Sequence, residues 1–260
     1  MKKIVKVACA QAASEKTEKK SLEKLLSIIE ENSDSDLIVF PEFYFKSISQ
    51  KMLDKIMSLI DQTRIAVVFG AVEKEGQHSY DSAYLLEYDK IHRYRKTHVH
   101  WTEDFKPGDR LDVFGTSLGK LGLLVCYDST FIETSRVLAL EGAEIIVIVA
   151  AVPAYFDVKI SLIRIQANAA ENQVFIIYVN KPIKELCSGN SMIASPKGRV
   201  ISSAGSVETI ITGVLSYDDL KEWRQQERIF PFRRPELYGS LTTKDAAQRD
   251  SKTISKKKMK

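Results

Sequence analysis

Short apolar runs alternate with amphipathic helical patterns between residues 4 and 73. Residues 4–11, 36–40 and 64–73 are apolar segments of strand length. Residues 15–31 and 47–61, which lie between them, repeat apolar side chains at helical spacing. The predicted order is therefore β-α-β-α-β, an order that places helices on the faces of a sheet. We expect an α/β fold.

The rest of the chain is also predicted to consist of strands and helices. Its predicted elements are two strands within 80–94, a strand pair within 112–125, a helix over 130–142, a strand over 144–150, a helix over 157–172, a strand over 173–180, a three-stranded meander over 190–195, 199–203 and 208–215, and a helix over 218–226. No repeat or linker interrupts residues 1–244, so we expect one domain there. Residues 245–260 are rich in lysine and are predicted to be a disordered basic tail.

Composition narrows the function classes. The chain has 260 residues, 44% of them hydrophobic and 28% charged, which is typical of a soluble globular protein. The net charge of +4 is mild and partly lies in the tail, so we expect no nucleic-acid partner. No apolar run has the length of a membrane span, so we expect no membrane partner. The three cysteines are widely spaced and favour a reducing, cytoplasmic location over a disulfide framework.

A cysteine stands where a predicted buried strand turns into a helix. The apolar run Leu121–Val125 ends at Cys126, and Asp128, Ser129 and Thr130 follow as candidate helix N-caps. Such a turn would expose the sulfur, offer backbone N–H groups to an oxyanion and favour a thiolate at the helix N-terminus. The alternative from this stretch alone is a buried core cysteine.

Two charged residues also stand at the ends of predicted strands. Glu42 follows the strand over 36–40, and Lys96 follows the strand that ends at Tyr94. If these strands and the one before Cys126 are neighbours with a common direction, the three groups meet at one sheet edge. A desolvated carboxylate can act as a base toward a thiol, and a cation can stabilise both the thiolate and an oxyanion. The alternatives are an exposed loop carboxylate and an ordinary surface lysine.

Six segments carry a resemblance to a known family. They are PEF at 41–43, YRKTH at 94–98, CYD at 126–128, RVLALEGAEII at 136–146, AENQVFIIYVN at 170–180 and SGNSMIASPKGRV at 188–200. In this order the chain resembles the nitrilase superfamily of carbon–nitrogen hydrolases, and the resemblance extends to about residue 240. It implies a four-layer α-β-β-α sandwich and a hydrolase that needs neither a metal nor an organic cofactor.

The resemblance also implies roles for individual residues. Glu42 matches the general base, Lys96 the oxyanion-stabilising lysine and Cys126 the nucleophile of a Glu-Lys-Cys triad. Glu103 stands where many members carry a second glutamate that helps to position the triad; the alternative is a surface loop acid. The backbone N–H of Tyr127 is the expected second donor to the oxyanion.

Other candidates near these motifs are less specific. Trp101 and Tyr155 either line the substrate pocket or belong to the core. His98 and His100 lie close to Lys96, but a metal site would need further ligands, and the chain has neither H-E-x-x-H nor paired C-x-x-C motifs. We therefore expect no metal site.

The motif CYD and the segment 228–239 resemble the amidase-type branches more than the true nitrilases. Ile132 replaces a proline common in the family, and residues 152–155 depart from the usual P-A-N-W near the pocket. We expect hydrolysis of a small linear amide, with an N-carbamoyl compound or a nitrile as the alternative substrate. The non-enzyme alternative is a scaffold or binding protein on the same fold.

Family members usually pair through two helices, which here correspond to residues 131–141 and 158–172. Both segments carry apolar residues beyond one core stripe, so we expect a homodimer or a higher homo-oligomer. Residues 228–244 contain further apolar and aromatic side chains and are expected to contact a partner subunit.

Overall fold

The computed structural model describes residues 2–184 and 186–243, and within them twelve strands form two six-stranded sheets. The first sheet contains, in spatial order, β12 (Thr209–Ser216), β1 (Ile4–Gln11), β2 (Leu37–Val39), β3 (Ala66–Glu75), β4 (His78–Glu87) and β5 (Lys90–Arg95). The second contains β11 (Val200–Ser203), β10 (Met192–Ala194), β9 (Phe175–Asn180), β8 (Ile145–Ala150), β7 (Gly119–Val125) and β6 (Val113–Thr116).

Each sheet has a parallel centre with antiparallel strands around it. Strands β1, β2 and β3 are parallel to one another, and so are β7, β8 and β9. The central strands are almost completely buried, as expected for parallel strands covered on both faces. The two sheets contact each other through β1 with β9, β3 with β8 and β4 with β7.

Helices flank the two sheets. They are α1 (Glu18–Glu31), α2 (Gln50–Thr63), α3 (Ile132–Leu140), α4 (Val158–Asn172) and α5 (Tyr217–Gln226). The buried faces of α1 and α2 belong to one apolar cluster with residues of the first sheet, and α4 contacts β9 and β10 of the second sheet. The architecture is the α-β-β-α sandwich that the family resemblance implies.

Local sequence explains where the first two helices begin and what they bury. The Thr17 and Ser49 hydroxyls accept hydrogen bonds from backbone N–H groups in the first turns of α1 and α2. Leu25 of α1 and Ile56 of α2 are fully buried in the apolar cluster. Each such side chain contributes about 1.5–3 kcal/mol through burial. The apolar residues that repeat at helical spacing are therefore the ones that pack α1 and α2 onto the first sheet.

The predicted meander is wrong in its third strand. Strands β10 and β11 pair as expected, but β12 pairs antiparallel with β1 in the other sheet, from Ile4 with Ser216 to Gln11 with Thr209. All eight residues of β1 find a partner in this way, so its edge is not left open. A side chain at Gly213 would meet Ile193 at 2.8 Å, so the glycine allows β12 to pass close to the second sheet.

The chain divides into two units, Met1–Trp223 and Arg224–Lys260. The described part of the second unit contains short 3-10 helices at Pro235–Leu237 and Gly239–Thr242. One domain over residues 1–244 stays a prediction, and the predicted basic tail over 245–260 lies outside the described residues. None of the helices in the described ranges combines the length and apolar character needed to cross a membrane.

Candidate active site

Cys126 stands at a strained turn directly after β7. Its φ is +43°, in the left-handed region that non-glycine residues rarely adopt, and residues Cys126–Thr130 form a 3-10 turn before α3 begins at Ile132. We call this segment the Cys126 turn. Strain of this kind costs about 1–3 kcal/mol and concentrates at functional sites. The predicted strand-to-helix turn is therefore present, with an extra 3-10 segment inside it.

The prediction of a side-chain N-cap for α3 is wrong. Phe131 is the N-cap residue and makes no side-chain capping bond. Asp128, one of the predicted caps, is instead fully buried. Its carboxylate accepts hydrogen bonds from the Val125 N–H at 3.0 Å, the Tyr94 hydroxyl at 2.8 Å and the His98 N–H at 2.8 Å. Asp128 thus ties the Cys126 turn to the segment that follows β5.

Glu42 follows β2 on a backbone that passes unusually close to β3. A Cβ atom at Gly70 would lie 2.4 Å from the Glu42 Cα atom, so only glycine fits there. Phe43 adopts a φ of +51°, and the Lys181 ammonium donates a hydrogen bond of 2.6 Å to its carbonyl oxygen. These contacts fix the backbone on both sides of the Glu42 side chain, which is buried.

Lys96 lies among three carboxyl groups. Its Nζ atom is 2.9 Å from Glu42 Oε1, 3.0 Å from Asp81 Oδ2 and 2.9 Å from Glu103 Oε2. The Lys96 and Asp81 side chains are 0% exposed, whereas that of Glu103 is 22% exposed. We call these four residues the Lys96 cluster. The three carboxyl groups offer oxygens within 4.8 Å of one another, a spacing that could also hold a metal ion, but the ammonium already bonds to all three.

The cluster acts on the Cys126 thiol. Burial, followed by the charge of Glu42, raises the pKa of Cys126 well above its usual range, while Lys96 and the Ala151 N–H lower it by less. Burial alone would lower the pKa of Lys96, but Glu42 and Asp81 raise it above its ordinary value. At neutral pH the site therefore contains a protonated thiol and a charged ammonium.

The structure brings together the three residues that the resemblance placed in a triad. Glu42 and Lys96 are in direct contact, and the charges of both act on the pKa of the Cys126 thiol. The geometry differs from the single sheet edge considered from sequence: β2 and β5 lie in the first sheet, and β7 lies in the second. Glu103 contacts Lys96 and accepts a hydrogen bond of 3.1 Å from the His100 N–H.

The predicted pocket residues are at the surface. Trp101 is 80% exposed and Tyr155 is 84% exposed, so the core alternative is wrong for both. Trp101 stacks on His100 with ring centroids 3.8 Å apart and meets Tyr127 edge-on at 5.9 Å. The aromatic rings therefore gather beside the Cys126 turn. A role in lining the pocket stays a prediction for Trp101 and Tyr155, and so does the role of the Tyr127 N–H as an oxyanion donor.

The two histidines close to Lys96 make contacts with protein side chains. His98 Nδ1 is 3.1 Å from Asp128 Oδ1, and His100 Nδ1 is 2.7 Å from the Thr102 hydroxyl. Their side chains help to hold the segment between β5 and Glu103.

Sequence reasoning missed two buried acids. Asp81 lies inside the otherwise apolar and aromatic pattern of β4, and a charged residue in a buried strand was the available signal. Asp128 was noticed only as a helix cap. Its burial could not be inferred, because its partners come from a segment thirty residues earlier in the chain.

Two facing six-stranded sheets flanked by helices define the class of α-β-β-α sandwich proteins. The chain belongs to the carbon–nitrogen hydrolase family, whose model matches residues 6–225.

Individual relatives agree with this assignment. The chain is 33% identical over 238 residues to an (R)-stereoselective amidase from a Pseudomonas species, covering 84% of this chain and 86% of that one. A carbon–nitrogen hydrolase from Helicobacter pylori has a similar fold, with a TM-score of 0.81 at 22% identity over 93% of this chain and 99% of that one. An amidase variant from a Nesterenkonia species, with a TM-score of 0.76 at 21% identity over 90% of this chain and 95% of that one, carries the acetamide moiety of fluoroacetamide on its active-site cysteine.

Proposed function

We propose that the protein is a thiol hydrolase that cleaves the non-peptide C–N bond of a small linear amide through a cysteine thioester. The observation that carries this proposal is the Glu42 carboxylate 2.9 Å from the Lys96 ammonium, with the Cys126 thiol at a left-handed turn where the charges of both residues act on its pKa. The amidase relative and the acetamide-bearing cysteine of the structural neighbour support an amide as the substrate.

In the first half of the proposed reaction, Glu42 removes the proton from the Cys126 thiol as the sulfur attacks the amide carbon. The carbonyl π electrons move to oxygen, and the Lys96 ammonium and the Tyr127 N–H stabilise the oxyanion. Glu42 then gives its proton to the amide nitrogen, the C–N bond breaks, and ammonia leaves. The acyl group remains on Cys126 as a thioester.

The second half uses the same base. Glu42 takes a proton from water, and the resulting hydroxide attacks the thioester carbon. When the tetrahedral intermediate collapses, the C–S bond breaks, the sulfur regains a proton from Glu42, and the carboxylic acid is released. Glu103 is proposed to hold the Lys96 ammonium in position through both halves. The protein's own side chains supply every proton transfer in this scheme.

The first test is ammonia release from a panel of small linear amides, N-carbamoyl compounds and nitriles. We expect an amide to be the best substrate, and we expect Cys126→Ala to abolish release. Cys187→Ala is the matched control, because Cys187 is also a partly exposed free thiol but lies in a different loop; it should retain turnover. A nitrile or carbamoyl compound as the best substrate would contradict the amide assignment.

If no compound in the panel releases ammonia, mass spectrometry of the intact protein is the next measurement. Incubation with fluoroacetamide should add the mass of an acetamide group, with loss of fluoride, to Cys126 of the wild-type protein and none at that position in Cys126→Ala. Absence of both turnover and adduct would favour the alternative of a binding or scaffold protein.

We also propose a homodimer that forms through α3 and α4 and is extended by residues 228–244. The exposed apolar side chains on these helices support it.

A reducing, cytoplasmic location is proposed as well, since the reaction needs a free thiol and all three cysteines of the chain are unpaired.

A further inference from the structure

The Lys96 cluster contains more acid than its one cation can balance. Glu42, Asp81 and Glu103 each place an oxygen within 3.0 Å of the same ammonium. Three ionised carboxylates would leave a net charge of about −2 in a buried site beside the Cys126 thiol. Carboxylates that share so small a space do not all ionise, so one of the three holds a proton.

The contacts of the three acids differ, and they point to Asp81. Glu103 is partly exposed, and its carboxyl group accepts two hydrogen bonds from Lys96 and a third from the His100 N–H. Glu42 has to be ionised to accept the thiol proton. Asp81 is fully buried, and its Oδ1 atom has no hydrogen-bond partner within the described part of the chain.

Electrostatics agree with that choice. Burial, followed by the charge of Glu42, raises the pKa of Asp81 well above its usual range, and the opposing effect of Lys96 does not offset them. The charged or titratable groups that face Asp81 are Lys96 after β5, Glu42 after β2 and Glu103 in the following loop. An unpartnered carboxyl oxygen in this setting is where a proton costs least.

We propose that Asp81 is a neutral carboxylic acid in the resting protein and that it positions Glu42. Its Oδ1 carries the proton and donates a hydrogen bond to the Glu42 carboxylate, while its Oδ2 accepts the bond from Lys96. The inference rests on the proposed role of Glu42 as the base, and it adds a residue that the Glu-Lys-Cys triad does not contain.

This arrangement has a consequence for the reaction. A hydrogen bond from a neutral acid favours the ionised form of its acceptor, so Asp81 keeps Glu42 ready to accept a proton despite its burial. The cluster and the thiol together carry a net charge of about −1 both before and after the proton moves from Cys126 to Glu42. An ionised Asp81 would add a second negative charge beside the forming thiolate and oppose it.

Infrared spectroscopy tests the protonation state without any substrate. We expect the wild-type protein at neutral pH to show a C=O stretching band of a protonated carboxylic acid that shifts in D2O and that is lost in Asp81→Asn. Glu103→Gln is the matched control, since it removes the other supporting carboxylate on Lys96 and should keep the band. Absence of the band from the difference between wild type and Asp81→Asn would overturn the proposal.

Alkylation of Cys126 gives an independent readout, followed by mass so that Cys187 is counted separately. Asn in place of a neutral acid changes no charge, so Asp81→Asn should move the pH midpoint of alkylation by less than about half a pH unit. Glu103→Gln removes an ionised carboxylate and should lower the midpoint by about one pH unit or more. A similar fall in Asp81→Asn would show that Asp81 is ionised and would overturn the proposal.

Turnover then separates positioning from packing. Asp81→Leu, which cannot donate a hydrogen bond, should lower kcat with little change in KM. The kcat of Asp81→Asn should be at least about tenfold higher than that of Asp81→Leu. Equal losses in both variants would contradict the hydrogen bond to Glu42. If no amide is turned over while the infrared band is present, the proposed function fails and the assignment of the Asp81 proton stands.

Discussion

At the scale of single residues, the protonated thiol of Cys126 explains why the site needs a base beside it. Burial and Glu42 raise the pKa of the thiol, and the Lys96 ammonium and the Ala151 N–H offset only part of that effect. Little thiolate exists at neutral pH, so the proposed nucleophile forms only as Glu42 accepts its proton. The same carboxylate that opposes a free thiolate is thus the one that enables the attack.

Replacing Glu42 by glutamine should separate thiol reactivity from catalysis. Removing a negative charge lowers the free energy of the thiolate, so the pKa of Cys126 should fall and its alkylation at neutral pH should become faster. Amide hydrolysis should fall by about 10²–10⁴-fold, because no base remains to move the proton. Alkylation rates against pH and ammonia release measure the two effects. Slower alkylation in Glu42→Gln would contradict this account.

Asp128 is the second residue whose removal we expect to matter. Its buried carboxylate accepts bonds from three backbone N–H groups and three side chains. In Asp128→Asn, the NH2 group of the new side chain would face N–H or O–H groups that now donate to the carboxylate, and those hydrogen bonds would be lost. The substitution should therefore lower the free energy of unfolding by about 3 kcal/mol. Chemical denaturation measures the change. Asp109→Asn, at an almost fully exposed side chain, is the control and should change stability by less than about 0.5 kcal/mol.

At the scale of elements, the site is built at the ends of strands. Glu42 follows β2, Lys96 follows β5 and Cys126 follows β7. The strands β2 and β7 are buried, whereas β5 is largely exposed and Lys96 is buried by the residues around it. Two of the three ends need special backbone: positive φ at Phe43 beside Glu42 and at Cys126 itself. Strand ends are stiff supports, so they hold the side chains more tightly than free loops would.

A substitution at Gly70 in β3 tests whether the close contact between β3 and the Glu42 backbone positions the Glu42 side chain. A Cβ atom there would lie 2.4 Å from the Glu42 Cα and 2.9 Å from the Phe43 nitrogen, both of which are backbone atoms. Gly70→Ala should push the Glu42 segment away from Lys96, lower stability by about 1–3 kcal/mol and reduce kcat more than KM. Gly115→Ala in β6 is the matched control, because nothing lies within 4 Å of its added atom. Equal effects of both substitutions on kcat would disprove the fit.

At the scale of the whole molecule, the site exists only where the two sheets face each other. The first sheet supplies Glu42, Asp81 and Lys96, and the second supplies Cys126. Asp128 links the two halves by bonding to residues that follow β5. Loss of packing between the sheets would therefore separate the thiol from its proposed base.

The outer helices of the second sheet carry apolar side chains that residues 2–184 and 186–243 leave exposed. Ile163 of α4 is 65% exposed and Ile132 of α3 is 63% exposed. If the proposed dimer forms there, Ile163→Lys places a charge in the interface and should shift the protein toward monomer in light scattering. Val207→Lys, at a 70% exposed loop position, is the control and should leave the mass unchanged. An unchanged mass for Ile163→Lys would contradict this interface.

The amino-acid sequence by itself determined the elements and the chemistry that they carry. Apolar periodicity placed the helices and most of the strands, because burial of one face dictates spacing along the chain. The motifs around Glu42, Lys96 and Cys126 indicated the family and the three residues to examine together. The strand over 208–215 was found as well, but its partner was not, since pairing depends on which edge of β1 remains open.

Only the tertiary structure decided how those residues act on one another. The position of β12 in the first sheet, the ties of Asp128 and the approach of Asp81 to Lys96 all join segments that are distant in sequence. The protonation of Cys126 and the charge balance around Lys96 depend on burial and on distances of about 3 Å, and local pattern carries neither. The sequence specifies which ionisable side chains are present, whereas the tertiary structure determines which of them are in contact and therefore which are protonated.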